Sequence, residues 1–332
     1  MAKKKVAKKE DKEFKKFRIA YIGNFGPEYS TENDVRKAFE HLGHEVVRLQ
    51  ENEVSMDKVH KEAVNSDLLL VTGTWGDALP LPEFLDLIHE MAVLGKPTVT
   101  LHLDTFWSTG RAGRKWWREP MFHTAYIMTA DGDYADKWEL IGKNHLWLQP
   151  GVRHDANEWG SERDQYKCDV AFVGSNGQGY HEDVWNYRKE LVDNLRDMCK
   201  RNGWSFRNPG GDDPKVDRGM DMNDFYASAK VTIGDSLCLK KEDSRYWSDR
   251  VPEATGRGGF LIMPQIKYMK YLWDMIPTYD WGNWEQLEGM IKHYLEHEDE
   301  RHAIQLENFK VTGEDHTYVN RAETILKYTE LI

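Results

Sequence analysis

The sequence predicts an α/β protein built from two Rossmann-like domains that face one another across a cleft. Strand, loop and helix patterns alternate at short intervals along all 332 residues. The strand patterns are continuous apolar runs, such as LLLV at 68–71, which means strands covered on both faces and therefore parallel sheets. The alternation stops in a polar, irregular stretch at 151–167 and then restarts, so that stretch reads as a linker between two halves.

Each element follows from local pattern. FRIAYIG, from Phe17, is a buried strand entering a glycine turn. STENDVRKAFEHLG is a helix capped by Ser30 or Thr31, with Val35, Ala38, Phe39 and Leu42 on one face. HEVVRLQ, DLLLV, KPTVTLHLD, TAYIMT and HLWLQ are the later strands of the first domain (17–150), and MDKVHKEAVNS and LPEFLDLIHEMAVLG are its other helices. The second domain (168–314) opens with CDVAFVG and a helix from HEDVW to KRNG. WSFRN, VTIGD and GFLIMP are its further strands, MNDFYASAK and YMKYLW short helices. WEQLEGMIKHYLEHEDERHAIQLENF reads as one long helix, and TYVNRAETILKYTELI as a last amphipathic one.

Composition narrows the classes. Apolar residues at 40% and charged residues at 30% suit a soluble chain with real cores. No apolar run reaches the roughly 20 residues of a membrane span. Residues 1–16 are a lysine-rich tail with no apolar segment behind them, which is not a secretory signal. Cys168, Cys199 and Cys238 are widely spaced, as expected of reduced cytoplasmic thiols. The net charge is −11, but residues 1–18 carry +6, which leaves about −17 on the remainder. So acidic a body is a poor general binder of nucleic-acid backbone. The tail suits an acidic partner or is a solvated disordered arm.

In open parallel sheets ligands bind beyond the carboxyl ends of the strands. In the loop at 174–179, Gly174, Ser175, Asn176 and Gly177 suit a diphosphate, because glycines let backbone N–H groups approach an anion; a tight turn explains them equally. The loop is not GxGxxG, and no acidic residue follows at the ribose distance of a dinucleotide site. In SDRVPEATGRGGFLIMP (248–264), Glu253 can accept both hydroxyls of a ribose and Arg250 can neutralise a diphosphate. A surface cap and ion pair is the alternative. There is no nucleophile elbow, no Walker lysine and no metal-ligand spacing. His293 and His297 at i, i+4 fit an exposed helix face better than a ligand pair.

Residues 168–264 resemble the donor domain of GT-B glycosyltransferases, in particular the spore-coat CgeB-like group. The resemblance is carried by CDVAFVGS, by VTIGDSL and by DRVPEATGRGGFLIMP, with LWLQPGVRHD similar to the preceding interdomain stretch. It implies that Glu253 holds the ribose of a nucleotide sugar and that Arg250 and the 174–177 loop face its phosphates. It also implies that a C-terminal helix at 315–332 packs back on the first domain. Two departures stand out. Arg245 occupies the place, eight residues before the ribose glutamate, where many such enzymes carry another glutamate. Pro252 replaces an apolar or aromatic residue.

The first domain is then the acceptor side. Asp104 ends the strand TVTLHLD and is the first choice for general base, since an attacking hydroxyl must lose a proton. Asp77, His123 and Asp131 rank below it, and His102 reads as a satisfied core histidine. Gly23 and Asn24 bring this domain near the phosphates. FWSTGRAGRKWWR (106–118), with Trp107, Arg111 and Arg114, suits an acceptor lip or equally a lid packed by its own tryptophans. Arginines, loop amides and a helix dipole can stabilise the phosphates, so no metal or other cofactor is expected. The expected activity is sugar transfer from a nucleoside diphosphate sugar to a hydroxyl of a protein or glycan, with a modified DNA base as second acceptor. A non-catalytic nucleotide-binding or partner-docking module and a nucleotide-sugar epimerase are the alternatives.

Overall fold

The computed structural model describes residues 15–73, 79–107, 115–176, 182–238 and 241–332, without the side chains of 182–186. Two parallel sheets form two lobes. In the first lobe the strands are β1 (Arg18–Gly23), β2 (Glu45–Gln50), β3 (Leu68–Val71), β4 (Thr98–His102), β5 (Tyr126–Thr129) and β6 (Asn144–Trp147). They lie in the order β2-β1-β3-β4-β5-β6. Their helices are α1 (Thr31–His41), α2 (Met56–Val64), α3 (Leu81–Val93) and α4 (Ala135–Leu140). The second lobe has β7 (Cys168–Ala171), β8 (Phe206–Arg207), β9 (Ala229–Ile233), β10 (Leu261–Pro264) and β11 (Thr278–Tyr279). Its order is β11-β10-β9-β7-β8. Its helices are α5 (Glu182–Asn202), α6 (Met220–Ser228), α7 (Arg250–Thr255), α8 (Lys267–Lys270), α9 (Trp284–Glu296) and α10 (Glu298–Asp315). The last helix is α11 (Tyr318–Tyr328). Among the described residues no helix is long and apolar enough to cross a membrane.

The local reasons are visible. Ser30 caps α1 by accepting from Asn33 N at 3.1 Å. β3 and β4 are buried at every residue, as strands between two helix layers must be. Each sheet therefore has two cores. In the first lobe Ile19, Tyr21, Leu70 and Leu101 pack on one face, and Ile22, Leu69, Phe84 and Trp138 on the other.

The stretch expected as one long helix is two. His297 (φ −114°, ψ 73°) leaves helical geometry between α9 and α10. Glu298, Asp299 and Glu300 then occupy the first turn of α10, where carboxylates are favoured by the N-terminal dipole. Neither α4 nor β11 was marked by a periodic pattern, since both are too short to show one.

The lobes are tied by two chain crossings that run side by side. Val152 N donates to His316 O and Tyr318 N donates to Val152 O, each at 2.9 Å. Arg321 Nε donates to Gln149 O at 2.6 Å and Nη2 to Pro150 O at 3.2 Å. α11 thereby returns to the first lobe, where Tyr318, Ala322, Ile325 and Leu326 join the core against Phe39 and Val35. Thr317 and Asn320 form its capping box. Because Ile325 is fully buried in that core, Ile325→Ala should cost about 2–5 kcal/mol in urea unfolding. Lys327→Ala on the same helix should change stability by less than about 0.5 kcal/mol.

Candidate active site in the interlobe cleft

The carboxyl ends of both sheets open onto a cleft of about 600 Å³. From the first lobe come Asn24 after β1, Ser30, Thr31 and Glu32 at the start of α1, Thr72 after β3, and His102 and Asp104 at the end of β4. From the second lobe come Arg188 on α5, Arg218 before α6, and Tyr246, Asp249 and Arg250 around the start of α7. A recess of about 160 Å³, bounded by Val173, Tyr226 and Glu253, adjoins it and shares Arg218, Asp249 and Arg250.

Two buried carboxylates organise the second-lobe wall, each held by two arginines. Asp235, just past β9, accepts from Arg188 Nε at 2.6 Å and Nη2 at 3.2 Å, and from Arg250 Nη1 at 2.5 Å. Burial pushes this carboxyl up, but Arg188 and Arg250 outweigh it and hold it below the usual carboxylate range. Glu253 lies between Arg218, 3.0 Å from Oε1, and Arg257, 3.0 Å from Oε2. Here too burial raises the carboxyl, and Arg218 and Arg257 overcome it, leaving the group below its ordinary range. The buried Arg257 is itself fixed by Asn223 Oδ1, by Gly219 O at 3.1 Å and by Arg218 O at 3.0 Å. Four guanidinium groups thus face two carboxylates. Asp249, 4.0 Å from Arg218, offsets part of the surplus. The remainder is a positive wall suited to an anion that brings several oxygens.

Gly174, Ser175 and Asn176 lie beside this wall. Gly174 has φ +141°, and a Cβ there would sit 2.8 Å from Arg250 Nη2, so a side chain would displace the arginine. Arg250 is further tied by Nε to Val173 O at 2.8 Å. Ser175 Oγ is 3.4 Å from Arg188 Nη1. Asn176 instead donates to Asp212 at 2.7 Å, toward β8.

On the first-lobe wall, Asp104 Oδ1 accepts from Thr105 N at 2.8 Å and from Tyr246 OH at 3.2 Å. Gly23 closes β1 against Glu32. His102 lines the cleft with its ring edge-on to Phe106 and Phe122, 6.1 and 5.9 Å away. Asp131 is buried, with its carboxyl raised to about 7 by burial and by the charges of Asp133 and Asp104. His123 Nε2 meets Trp117 O at 3.0 Å.

Trp107 does not stand free as a stacking platform. It packs in a first-lobe aromatic cluster with Phe106 and Trp138, under Lys137 Nζ at 4.1 Å from its ring. Among the described residues it is not one of those lining the cleft. Gly177, Arg111, Arg114, Asp77 and tail residues 1–14 lie outside the described residues. Glu253, expected as a ribose acceptor, carries two arginines on its carboxylate. Further lone pairs remain on its oxygens, since a carboxylate offers about four. Arg245, in the place of a second glutamate, stacks on Tyr268 with its guanidinium carbon 5.1 Å from the ring centroid.

Residues 164–327 match the family model described as glycosyl transferase-like. The match falls on the second lobe and α11, in a chain of GT-B fold. Solved structures agree across both lobes of this GT-B chain. An α-glucosyltransferase in complex with UDP and a 13-mer DNA has a TM-score of 0.67 at 12% identity, covering 94% of this chain and 100% of its own. A DNA-modifying β-glucosyltransferase has 0.57 at 13% identity, covering 94% and 99%. A trehalose-6-phosphate synthase has 0.57 at 8% identity, covering 95% and 99%. At these identities the likeness is one of fold. No curated protein sequence matches the GT-B chain.

The residues that local sequence did not mark are Arg188, Arg218, Asp235 and Tyr246, together with Asp34 behind the recess. Asp235 did carry a signal, since it directly follows a strand in GDSLC. Asp34 is raised to about 7, first by burial and then by the charge of Glu253, while Arg218, Arg153 and Arg257 pull the other way. Between its ordinary value near 4 and about 7 the folded chain keeps a proton that the unfolded chain releases, so this group makes stability fall as pH rises through that window. Asp34→Asn should therefore be more stable than the wild-type chain at pH about 8 and no more stable at pH about 4, as read by thermal unfolding.

Proposed function

We propose that the chain transfers a sugar from a nucleoside diphosphate sugar to an acceptor hydroxyl. The observation that carries this reading is the wall of arginines at the strand ends of a glycosyl transferase-like domain, facing a carboxylate across the cleft. Arg250 and Arg188, with backbone at Gly174 and Ser175, would receive the diphosphate. Glu253, at the recess, would accept from the ribose hydroxyls with the lone pairs its arginines leave. The CgeB-like motif around Glu253 supports the same assignment. Asn24 and Gly23 would close over the phosphates from the first lobe.

Asp104 would take the proton of the acceptor hydroxyl as that oxygen bonds to the anomeric carbon. The bond from that carbon to the phosphate oxygen breaks as the new one forms, and the nucleoside diphosphate leaves with the electron pair. The arginines stabilise the charge that grows on the leaving group, which is where preorganised donors accelerate a reaction most. They supply this charge without a metal in our reading. Two lobes around one cleft would also keep water from the donor.

We place a protein or glycan hydroxyl first as acceptor. A hydroxyl on a modified DNA base stands second, supported by the basic segment 1–18 and by the DNA-bound GT-B neighbours. The acidic remainder of the chain opposes it.

The test is a sugar-release and transfer assay over a panel of nucleoside diphosphate sugars. The wild-type chain should turn over at least one donor. Glu253→Gln keeps the side chain's volume, and Gln should lower kcat/KM about tenfold or more through the weakened acceptor. Glu253→Ala would strip Arg218 and Arg257 of their partner and is expected to destabilise the fold by about 3–5 kcal/mol, so thermal unfolding must accompany both. Turnover of no donor, or a fully active Glu253→Gln, would contradict the proposal.

A further inference from the structure

We propose that Tyr246 is the positioning residue for Asp104, and that it reaches Asp104 from the opposite lobe. This rests on the glycosyl-transfer reading, in which Asp104 is the base.

The segment 244–246 belongs to the second lobe but is fastened to the first. Ser244 Oγ donates to Asp133 Oδ2 at 2.5 Å and Arg245 N donates to Asp133 Oδ1 at 2.8 Å. Gly132 N donates to Arg245 O at 3.3 Å, and Gln149 Nε2 reaches the same carbonyl at 3.4 Å. Gly132 also lets the two strands of chain approach, since a Cβ there would sit 2.7 Å from Arg245 Cβ. With the backbone of Arg245 held and its side chain turned onto Tyr268, the next residue is aimed into the cleft. The Tyr246 ring is buried with Ala130, Leu237 and Leu103, and its hydroxyl donates to Asp104 Oδ1.

Both donors on Asp104, Thr105 N and Tyr246 OH, go to the same oxygen. Among the described residues no donor stands on Oδ2, which is left for an acceptor proton. Burial and the neighbouring Asp104 push the Tyr246 phenol far above its ordinary range, so it remains a donor wherever the enzyme works. Because the two residues are on different lobes, the phenol holds the base only while the lobes are together, and in an open cleft Asp104 would keep Thr105 N alone. An open cleft would then hold donor with a less firmly set base, which limits waste to water. The other charged or titratable groups around Asp104 are Asp131 behind it, His102 and Glu32 on its own lobe, and Arg188, Asp249 and Arg250 across the cleft. None of them replaces the phenol as a donor to Oδ1.

Tyr246→Phe removes only the hydroxyl. Transfer kcat should fall about tenfold while the dissociation constant for a nucleoside diphosphate is unchanged. KM for the donor should stay as it is, since the hydroxyl meets Asp104 and not the arginine wall. The carboxyl-carbon NMR signal of a labelled Asp104, read at one fixed pH, should move when the hydrogen bond is lost, whether or not a sugar acceptor has been found. Asp133→Ala, which loosens the segment without touching Asp104, should lower kcat and move the same NMR signal. A lower melting temperature with kcat and the NMR signal in place would mean a merely structural tyrosine and overturn the proposal. A displaced NMR signal in a chain that transfers no sugar would keep the positioning role and reject the glycosyl-transfer reading.

Discussion

The site depends on two buried carboxylates, Asp235 and Glu253, each gripped by a pair of arginines. Their four partners come from α5, from the loop before α6 and from both ends of α7, so these ion pairs fix the second-lobe wall from several elements at once. Such pairs are weak sources of net stability, because desolvation consumes most of the Coulomb gain. Their use here is geometric. They hold guanidinium groups still, in a low-dielectric wall, before any ligand arrives, and electrostatic catalysis needs donors that do not reorganise during the reaction.

The arrangement also explains why the two lobes must meet. The positive wall is on one side and Asp104 on the other, so the proposed reaction needs both. The meeting is built twice. Tyr29 of the first lobe lies against Gly219 and its carbonyl is 3.5 Å from Arg218 Nη1, while Asp133 holds Ser244 and Arg245 at the other flank. The zipped crossings at 149–153 and 316–321 keep the halves in register, which gives α11 a functional place as well as a packing one.

Much of the fold was legible in the sequence because it is written locally. Ser30 and its helix, the apolar runs of β3 and β4, and the glycine after α3 all act within a few residues, so periodicity finds them. Glu253 and Arg250 of DRVPEATGRGGF were singled out by their segment and its resemblance, and Asp104 by its place at a strand end; the structure puts Arg250 and Asp104 in the cleft and Glu253 at its recess. Arg188, Arg218 and Asp235 were not singled out, because what joins them is a meeting of three elements far apart in the chain. Arg188 looks like any charge on an amphipathic helix until Asp235 is seen beneath it. Trp107 shows the opposite limit. An aromatic among arginines reads equally as an acceptor lip or as a packed lid, and only Trp138, a residue of the short α4, shows that Trp107 belongs to a hydrophobic cluster. The break at His297 was hidden because the residues on both sides share helical periodicity.

Calorimetric titration of the wild-type chain with a nucleoside and with its diphosphate reads the arginine wall itself. The diphosphate should contribute most of the binding free energy, and Arg250→Gln should remove most of that increment while the nucleoside's own affinity stays as it was. Equal affinity for the two ligands, or a diphosphate increment untouched by Arg250→Gln, would contradict the wall's role.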